Sequence, residues 1–293
     1  MDELRFAKYH GTGNDFVMVE DLDDAIRLEP SVVAALCDRH RGIGADGMIR
    51  ITSAADPNAA DYFMDYSNAD GSVAEMCGNG IRCLAKLVFE RGLTDRRELS
   101  IETRGGVKRV RMEIDGDRVT SVTVNMGPPA FTRAEIPMLG PSTEPFLLEP
   151  FEAGGRTVKA TAVSMGNPHL VLFVEEDPDG FPVLDVGPLV ERSDLFPEHT
   201  NVEFVGLADG ELRARVWERG VGETMACGTG ACAVLVAANE AGLVPERATV
   251  RFPGGALKVE RRADGNVELT GPAERTFEGS VDAAWLRDRS ENT

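Results

Sequence analysis

The sequence predicts an α+β fold made of two similarly folded halves. The first observation is a repeat: Cys77 and Cys227 each stand just before a Gly-x-Gly segment and a run with helical spacing. The second is that short runs rich in β-branched residues surround each helical run, with Asp-Gly and Gly-Gly turns between several of them. Strands gathered around one long helix, twice over, are typical of an α+β architecture and not of alternating βαβ units.

The repeat continues along the chain in a constant order. The shift of 150 residues that relates the two cysteines also maps Gly92 onto Gly242, and upstream Asn14 corresponds to Asn167. Chance readily supplies one such pair, but not a series in the same order. The chain is therefore predicted to contain two domains, each carrying one of the cysteines.

We place the domain limits where the repeat ends. Residues 1–127 form the first predicted domain and residues 128–275 the second, joined near Gly127. The tail at 276–293 lies beyond the repeat, and the first half is the candidate for its packing partner.

Helices are predicted where apolar residues recur with a period of 3.6. Residues 81–91 show this pattern on one face, whereas residues 231–241 are apolar on more faces, so the second helix is expected to be more deeply buried. Gly92 and Gly242 follow them as natural C-terminal stops. A third helical run covers residues 31–38. Strands are predicted at residues 118–124, 157–163, 170–174 and 248–252.

Composition excludes several classes of function. The chain has 293 residues, 42% of them hydrophobic, which is enough for a substantial core. A formal net charge of -18 disfavours nucleic acid and anionic membranes, because phosphate contacts need Lys and Arg. No apolar run reaches the ~20 residues of a membrane helix, and the N-terminus lacks the features of a signal peptide. Five cysteines are an odd, low number that does not suggest a disulfide framework, so we expect a reducing cytoplasm.

The position of the repeated cysteines suggests acid–base chemistry. A helix N-terminus offers unpaired amides and partial positive charge, which stabilise a thiolate. The glycines after Cys77 and Cys227 leave those amides open to an anion such as a substrate carboxylate. Two thiols that face one carbon can remove a proton from one side and return it on the other. This is the outline of a racemase or epimerase that acts on a small molecule and needs neither cofactor nor metal.

Other uses of the cysteines fit the spacing less well. A structural zinc site usually has tighter pairs such as Cys-x2-Cys, whereas the pairs here are separated by five and four residues. The Cys-x-x-Cys of a redox pair is absent, and a Cys-His protease would leave the second thiol unexplained. Cys83 and Cys232 lie inside the helical runs and Cys37 lies on the third one, so these three are expected to pack in the core.

Several motifs together resemble the diaminopimelate epimerase family. They are Gly-Thr-Gly-Asn14-Asp-Phe, Gly-Ile-Gly-Ala-Asp46-Gly, Asn68-Ala-Asp-Gly-Ser, Met76-Cys-Gly-Asn-Gly-Ile-Arg82, Gly166-Asn-Pro-His169, Thr200-Asn-Val-Glu, Glu218-Arg-Gly-Val-Gly-Glu-Thr and Ala226-Cys-Gly-Thr-Gly-Ala. The resemblance implies two pseudo-symmetric domains, each a β-sheet wrapped around a central helix, with the active site in the cleft between them. It also implies a cytoplasmic homodimer that interconverts LL- and meso-diaminopimelate without pyridoxal phosphate or metal, in lysine and peptidoglycan biosynthesis.

The resemblance also assigns roles to individual residues. Cys77 matches the proton donor and Cys227 the proton acceptor for the LL substrate, and His169 and Glu218 match residues that assist them. Substrate-binding positions match Asn14, Asn68, Gly78, Asn79, Asn167, Asn201, Glu218, Arg219, Gly228 and Thr229. The two halves carry different polar groups nine residues before each cysteine, as a long substrate with a distant second head group would require.

Two rival functions remain open. Proline and hydroxyproline racemases resemble this chain around both cysteines but typically carry His where Asn79 stands. A non-catalytic thiol or metal-binding protein would contain zinc and would exchange no solvent deuterium into an amino acid. One departure from the family pattern is Gly47, where some members carry Gln. Asp46 and Asp70, beside glycines, are interpreted as ordinary turn residues.

Overall fold

The computed structural model describes residues 3–208 and 211–290, which fold into two units. The first unit contains the described residues up to Val124 and those from Gly271 onwards. The second unit is Asn125–Thr270.

The first unit is a mixed sheet with three helices. Its elements are β1 (Glu3–Gly11), β2 (Asn14–Glu20), α1 (Pro30–Cys37), β3 (Gly47–Ser53), β4 (Tyr62–Asn68), α2 (Gly78–Glu90), β5 (Glu98–Thr103), β6 (Gly106–Asp115), β7 (Arg118–Gly127), β17 (Glu274–Asp282) and α5 (Ala283–Ser290). The strands pair in the order β1 to β7, and β17 adds to the outer edge of β1. The chain leaves this unit within β7.

The second unit has a sheet of the same kind. Its elements are β8 (Glu149–Ala153), β9 (Arg156–Ser164), β10 (Pro168–Phe173), a 3-10 turn (Pro178–Gly180), α3 (Val183–Glu191), β11 (Asn201–Ala208), β12 (Glu211–Glu218), β13 (Gly222–Thr224), α4 (Gly228–Glu240), β14 (Arg247–Phe252), β15 (Gly255–Arg261) and β16 (Val267–Gly271). The strands pair in the order β8, β9, β10, β11, β12, β14, β15 and β16, with β13 folded back on β12.

The two sheets repeat each other strand by strand. From β1 to β7 the neighbours pair antiparallel, parallel, antiparallel, parallel, antiparallel and antiparallel. The same series runs from β9 through β10, β11, β12, β14 and β15 to β16. The helices α2 and α4 fall at the same place in the two series and contact strands across the sheet of their own unit. The predicted α+β fold, with a sheet around a central helix in each half, is confirmed.

Both central helices begin at the predicted cysteine. Cys77 and Cys227 have extended backbone and cap α2 and α4, and their side chains accept the amides of Gly80 and Gly230. Gly92 and Gly242 follow the helices with φ of 70° each, a left-handed conformation that glycine adopts without a steric penalty. The predicted starts and stops of both helices are therefore confirmed, as are the four predicted strands.

The prediction that the second helix is the more deeply buried is wrong. Both helices are buried along nearly their whole length, and α2 buries its polar face as well. Arg82 is 0% exposed, and its guanidinium donates to the carbonyls of Gly78 and Pro272. Lys86 is 6% exposed and donates to Glu90 Oε1 at 2.6 Å and to the Val119 carbonyl at 2.7 Å. Long side chains whose charged ends find local acceptors can enter a core that composition alone would not assign to them.

A second layer of helices covers the other face of each sheet. In the first unit Val32, Val33 and Leu36 of α1 pack with Leu286 of α5 in one apolar cluster. In the second unit α3 has the corresponding place in the chain, between β10 and β11, and packs in its own cluster. The helix at 31–38 is confirmed, and Cys37, Cys83 and Cys232 are buried as expected. None of the helices in the described ranges is long and apolar enough to span a membrane.

An ion network in the first unit makes a prediction about acid stability. Burial opposes the charge of Asp15, but hydrogen bonds and ion pairs with Arg39 and Lys8 outweigh it and hold the pKa of this carboxyl well below its usual range. The Asp15 carboxylate lies 2.8 Å from Arg39 Nη2 and 2.7 Å from Lys8 Nζ. A lowered folded-state pKa stabilises the protein above the unfolded-state pKa, and this stabilisation is lost as the pH falls towards the folded-state value.

We therefore expect Asp15→Asn to lower the free energy of unfolding by about 2 kcal/mol at pH 7. The difference from the parent should shrink steadily between about pH 5 and pH 3, as the unfolded chain takes up the proton. Urea unfolding at several pH values measures it, with the exposed Asp95→Asn as control. A difference that stays constant with pH would contradict the assignment of this carboxyl.

Candidate active site

The Cys77 thiol lies in a set of hydrogen bonds at the start of α2. Its Sγ accepts the amide of Gly80 at 3.4 Å and lies 3.6 Å from Asn14 Oδ1, to which a protonated thiol can donate. The side chain is half-buried. The thiolate is therefore offered an amide donor, and the thiol is offered a carbonyl acceptor, so either protonation state can be accommodated.

Asn14 is the hub of this first cluster. Its Oδ1 also accepts Asn79 Nδ2 at 3.1 Å, and its Nδ2 donates to Asp46 Oδ2 at 2.8 Å. Asp46 in turn pairs with Arg39 at 2.7 Å. The interpretation of Asp46 as an ordinary turn residue is therefore incomplete, because its carboxylate orients the amide that faces the thiol. Sequence spacing gave no sign of this contact, which joins the ends of two separate segments.

Glycines let the backbone approach closely around this cluster. A Cβ at Gly80 would lie 2.5 Å from Ile49 Cδ1, so the first turn of α2 sits directly on β3. A Cβ at Gly47 would lie 2.6 Å from the Ser67 carbonyl oxygen, so in this chain a side chain at that position requires the backbone to shift. Gly47 faces Asn68 across the β3–β4 ladder. Asn68 donates to Ser72 Oγ at 3.0 Å, and the structure gives it no hydrogen bond with Cys77 among the described residues.

The Cys227 thiol occupies the equivalent place in the second unit. Its Sγ accepts the amide of Gly230 at 3.4 Å and lies 3.4 Å from Thr229 Oγ1. Burial raises the pKa of this thiol well above its ordinary value, and the carboxylates of Glu218 and Glu203 raise the pKa further. The Thr229 hydroxyl and the Gly230 amide act in the opposite direction. Cys227 is thus more deeply buried than Cys77.

Glu218 provides a carboxyl group beside the buried thiol. Burial raises its pKa, while hydrogen bonds from the Thr224 hydroxyl and with Cys227 act to lower it. The Thr224 hydroxyl donates to Glu218 Oε1. A carboxyl and a thiol that share a hydrogen bond away from water can exchange a proton between them, which fits the assisting role that the resemblance gives to Glu218.

His169 is held by two partners in the interior of the second unit. Its Nδ1 lies 2.6 Å from Glu203 Oε1 and its Nε2 lies 3.0 Å from Asn167 Oδ1. Asn167 Nδ2 donates to Thr229 Oγ1 at 3.4 Å, which joins the imidazole to the N-terminus of α4. The side chains of His169 and Glu203 are both 0% exposed.

Glu203 is the residue that sequence reasoning missed. It belongs to the Thr200-Asn-Val-Glu motif, in which only Asn201 is predicted to have a role. The signal was present: a carboxylate stands between Val202 and Phe204 in a strand whose following residues are apolar or glycine. A charged residue at such a position is buried with a partner or is not tolerated.

Asn201 and Arg219 form the rim of the second cluster. Asn201 Nδ2 donates to the Pro168 carbonyl at 2.8 Å, and its Oδ1 accepts the Arg219 amide at 3.0 Å. Asn201 thereby ties the start of β10 to the end of β12. The Arg219 side chain is exposed and donates to the Glu198 carbonyl at 3.2 Å. Its guanidinium is placed where it can grip a carboxylate through parallel hydrogen bonds.

The predicted site residues therefore fall into two clusters. Cys77, Gly78, Asn79 and Asn14 meet in the first unit, with Asn68 apart from their hydrogen bonds; Cys227, Gly228, Thr229, Asn167, His169, Glu218, Asn201 and Arg219 are connected in the second. Across residues 3–208 and 211–290, no three His, Cys, Asp or Glu side chains are grouped so that they could hold a metal ion. The roles of the individual residues stay predictions.

Comparison with known proteins gives the relatives of this chain. A family model described as diaminopimelate epimerase matches residues 6–132 and 161–276. The chain is 47% identical to the diaminopimelate epimerase of Moorella thermoacetica over 279 residues, which cover 94% of this chain and 98% of that protein. It is 48% identical to that of Desulforudis audaxviator over 288 residues, which cover 97% of this chain and 100% of that protein.

Solved structures share the fold at much lower identity. A hydroxyproline epimerase from Agrobacterium vitis matches with a TM-score of 0.69 at 16% identity, covering 96% of this chain and 93% of that one. A PhzF-family phenazine biosynthesis protein from Bacillus anthracis matches with a TM-score of 0.66 at 17% identity, covering 96% and 99%. These likenesses show a shared duplicated fold and nothing about the substrate. The sequence relatives decide the family, and the chain is an isomerase that belongs to the diaminopimelate epimerase family.

Proposed function

We propose that this protein epimerises LL-diaminopimelate to meso-diaminopimelate through its two repeated thiols, in lysine and peptidoglycan biosynthesis. The observation that carries the proposal is the duplicated cap: each thiol accepts the third amide of its helix at 3.4 Å. A fold duplicated strand by strand retains a reactive group at both copies when the reaction uses both copies. Epimerisation at one carbon has this requirement, since a proton leaves one face and another arrives at the opposite face.

The two thiols take opposite roles in each direction. For the LL substrate the Cys227 thiolate removes the α-proton and becomes a thiol. The carbon–hydrogen electron pair passes into the substrate carboxylate. The Cys77 thiol then gives its proton to the opposite face of the α-carbon and is left as a thiolate. In the meso-to-LL direction the roles exchange, and solvent restores the starting protonation between turnovers.

The helix N-termini supply the anion site for the substrate carboxylate. Amides of Gly78 and Asn79 in α2, and of Gly228 and Thr229 in α4, belong to first helical turns whose N–H groups have no partner within their own helix. Charge that develops on the carboxylate as the proton leaves is stabilised by donors already aimed at it. This arrangement lowers the barrier without an electron sink from a cofactor.

The remaining polar residues suit a substrate with two amino-acid heads. Asn68 is the last residue of β4 in the first unit, whereas in the second unit Glu218 is the last residue of β12 and Arg219 follows it. Amides donate and accept, and a guanidinium binds carboxylate, so together they can hold an ammonium and a carboxylate far from the reacting carbon. Proline offers no second head for these groups to bind.

We also propose that the protein works as a homodimer in the cytoplasm. The support for a dimer is the family resemblance. The support for a reducing compartment is the odd number of cysteines, three of which are buried in cores while two cap helices. Sedimentation equilibrium tests the dimer. A requirement of the activity for a reductant would support the reducing compartment.

The function is tested with pure protein in heavy water. We expect LL-diaminopimelate to be converted to the meso isomer with one deuterium at the inverted α-carbon, and proline to remain unchanged. Lysine, which lacks the distal carboxylate, should react at least roughly 10³-fold more slowly if the distal groups bind that head. Racemisation of proline without turnover of diaminopimelate would contradict the substrate. Exchange into none of the three would contradict the chemistry.

A further inference from the structure

A continuous chain of hydrogen bonds leads from the interior of the second unit to the Cys227 sulfur. It begins with Glu203 and His169 at 2.6 Å and continues from His169 to Asn167 at 3.0 Å. It then passes from Asn167 to Thr229 at 3.4 Å and from Thr229 to the sulfur, also at 3.4 Å. Its members come from two strands, one loop and the start of one helix in the second unit. The first unit has no histidine at the equivalent point, where Asn14 contacts Asp46 instead.

This chain of hydrogen bonds has a direction. With Asn167 Oδ1 turned to His169, the imidazole Nε2 must donate its hydrogen there. Asn167 Nδ2 then donates to the Thr229 oxygen. The Thr229 hydroxyl hydrogen remains available for the sulfur. From the imidazole to Cys227, each group donates a hydrogen bond to the next one. The last donor, the Thr229 hydroxyl, stabilises the thiolate more than the thiol.

Glu203 decides whether the imidazole can take this role. The contact between its Oε1 and His169 Nδ1 needs one shared proton, and it fixes the ring with Nε2 towards Asn167. Glu203 Oε2 is buried and has no hydrogen-bond partner among the residues that the structure describes, so the carboxyl bonds the imidazole through its other oxygen. A Cβ at position 230 would lie 2.8 Å from Glu203 Oε1, so Gly230 is required for this close approach beneath the helix start.

We propose that Glu203 is a positioning residue for the Cys227 thiol. It holds His169 so that the chain of hydrogen bonds ends with the Thr229 hydroxyl donating to the sulfur. The consequence is a larger thiolate fraction on the residue that acts as base towards the LL substrate. The role of this thiolate as a base rests on the proposed function, whereas the effect of Glu203 on the ionisation of the sulfur does not.

The negative charge of Glu203 and the chain of hydrogen bonds have opposite effects on the ionisation of Cys227, and this makes the proposal testable. Two carboxylates act on the Cys227 thiol, Glu218 from β12 and Glu203 from β11, and His169 from β10 acts on Glu218. As a bare negative charge, Glu203 raises the pKa of the thiol. Removing a bare charge would therefore make Cys227 ionise more easily, whereas breaking the chain would make it ionise less easily.

The experiment measures the ionisation of Cys227 without substrate. In a Cys77→Ala background, iodoacetamide alkylation of Cys227 is followed against pH by peptide mass spectrometry. Burial also raises the pKa of Cys37 and of Cys83, and mass spectrometry reads the alkylation of each cysteine separately, so these thiols are not counted with Cys227. The variants are Glu203→Met, which removes the partner of His169, and Glu203→Gln, whose amide can still bond Nδ1.

We expect the Cys227 titration in Glu203→Met to move up by about one pH unit, which is roughly tenfold slower alkylation below the midpoint. Glu203→Gln removes the same charge but retains the bond to Nδ1, so its titration should lie at or below that of the parent. A titration that is unchanged or moves down in Glu203→Met would overturn the proposal, and so would Glu203→Gln behaving like Glu203→Met. Failure of the epimerase assay alone leaves these results untouched, so the two claims can fail separately.

A second pair of variants covers the case in which Glu203→Met does not fold. Thr229→Val removes the last donor and should produce the same upward shift, whereas Thr229→Ser retains the hydroxyl and should not. Combining Glu203→Met with Thr229→Val should add no further shift, because both interrupt one chain. Independent, additive shifts would refute the chain. Glu191→Met, at another buried glutamate of this unit that accepts the Trp217 indole, is the control with an unshifted titration.

Discussion

Cys77→Ala and Cys227→Ala are each expected to lower the kcat of epimerisation by at least about 10³-fold. Each variant removes the group that takes or gives the proton on one face of the carbon. The residual activity should not recover at higher pH, because the missing group is absent and not merely protonated. Circular dichroism should remain that of the parent, since alanine keeps the backbone and the losses are confined to hydrogen bonds of the thiol, the helix cap among them.

The chain provides matched controls for these two variants. Cys83 and Cys232 lie further along the same two helices and are 0% exposed. Cys83→Ala and Cys232→Ala should cost about 1 kcal/mol of stability through the small cavities they leave, while turnover stays near that of the parent. If either helix-start variant kept substantial turnover, a mechanism with two thiols would be wrong. A comparable loss in the core variants would show that the assay reports folding.

Arg82→Met is expected to give the largest loss of stability among single changes in α2, about 3 kcal/mol. The guanidinium is buried and donates to the Gly78 carbonyl at 3.0 Å, the Pro272 carbonyl at 3.2 Å and Thr12 Oγ1 at 3.4 Å. Methionine fills much of the volume but leaves these buried acceptors without their donor. Urea unfolding at pH 7 measures the change.

The exposed Arg97→Met is the control for that substitution, and it should change stability by less than about 0.5 kcal/mol. An Arg82→Met protein as stable as the parent would show that the interior tolerates these acceptors without a donor. Because Arg82 bonds the carbonyl of the first residue of α2, we also expect lower activity even where the variant is folded.

The repeat carried most of the fold prediction. Two cysteines with equal surroundings, glycine stops at equal distances and short strands between them predict the same structure twice, and the two strand orders agree element by element. Local signals were sufficient because each depends on residues close in sequence: a cap, a helical period and a glycine with positive φ.

Features that depend on distant residues were not predictable in this way. The polar face of α2 was expected to be less buried. Arg82 and Lys86 enter the interior because backbone carbonyls of other segments accept hydrogen bonds from them. The helix α3 was not predicted, because Pro182 and Pro188 interrupt its helical pattern. In the structure Pro182 stands at the N-cap, before the first helical residue, and Pro188 lies inside the helix.

The candidate site also contains residues that local sequence indicates and residues that depend on distant partners. Cys77 and Cys227 could be proposed from local sequence, because the same thiol before Gly-x-Gly and a helix occurs in both halves. Asp46 and Glu203 could not be assigned a role, because their partners Asn14 and His169 come from other strands. A charged residue in an apolar strand marks such a position but does not name its partner.

The central claim is that two separate groups serve the two faces of one carbon. The direct measurement is the isotope content of both diaminopimelate isomers at low conversion in heavy water, starting from the protiated LL form. Two thiols predict deuterium in the meso product from the first turnovers, while the remaining LL substrate stays protiated. Deuterium entering both isomers at equal rates, or substrate hydrogen retained in the product, would show that one group serves both faces and would contradict the account.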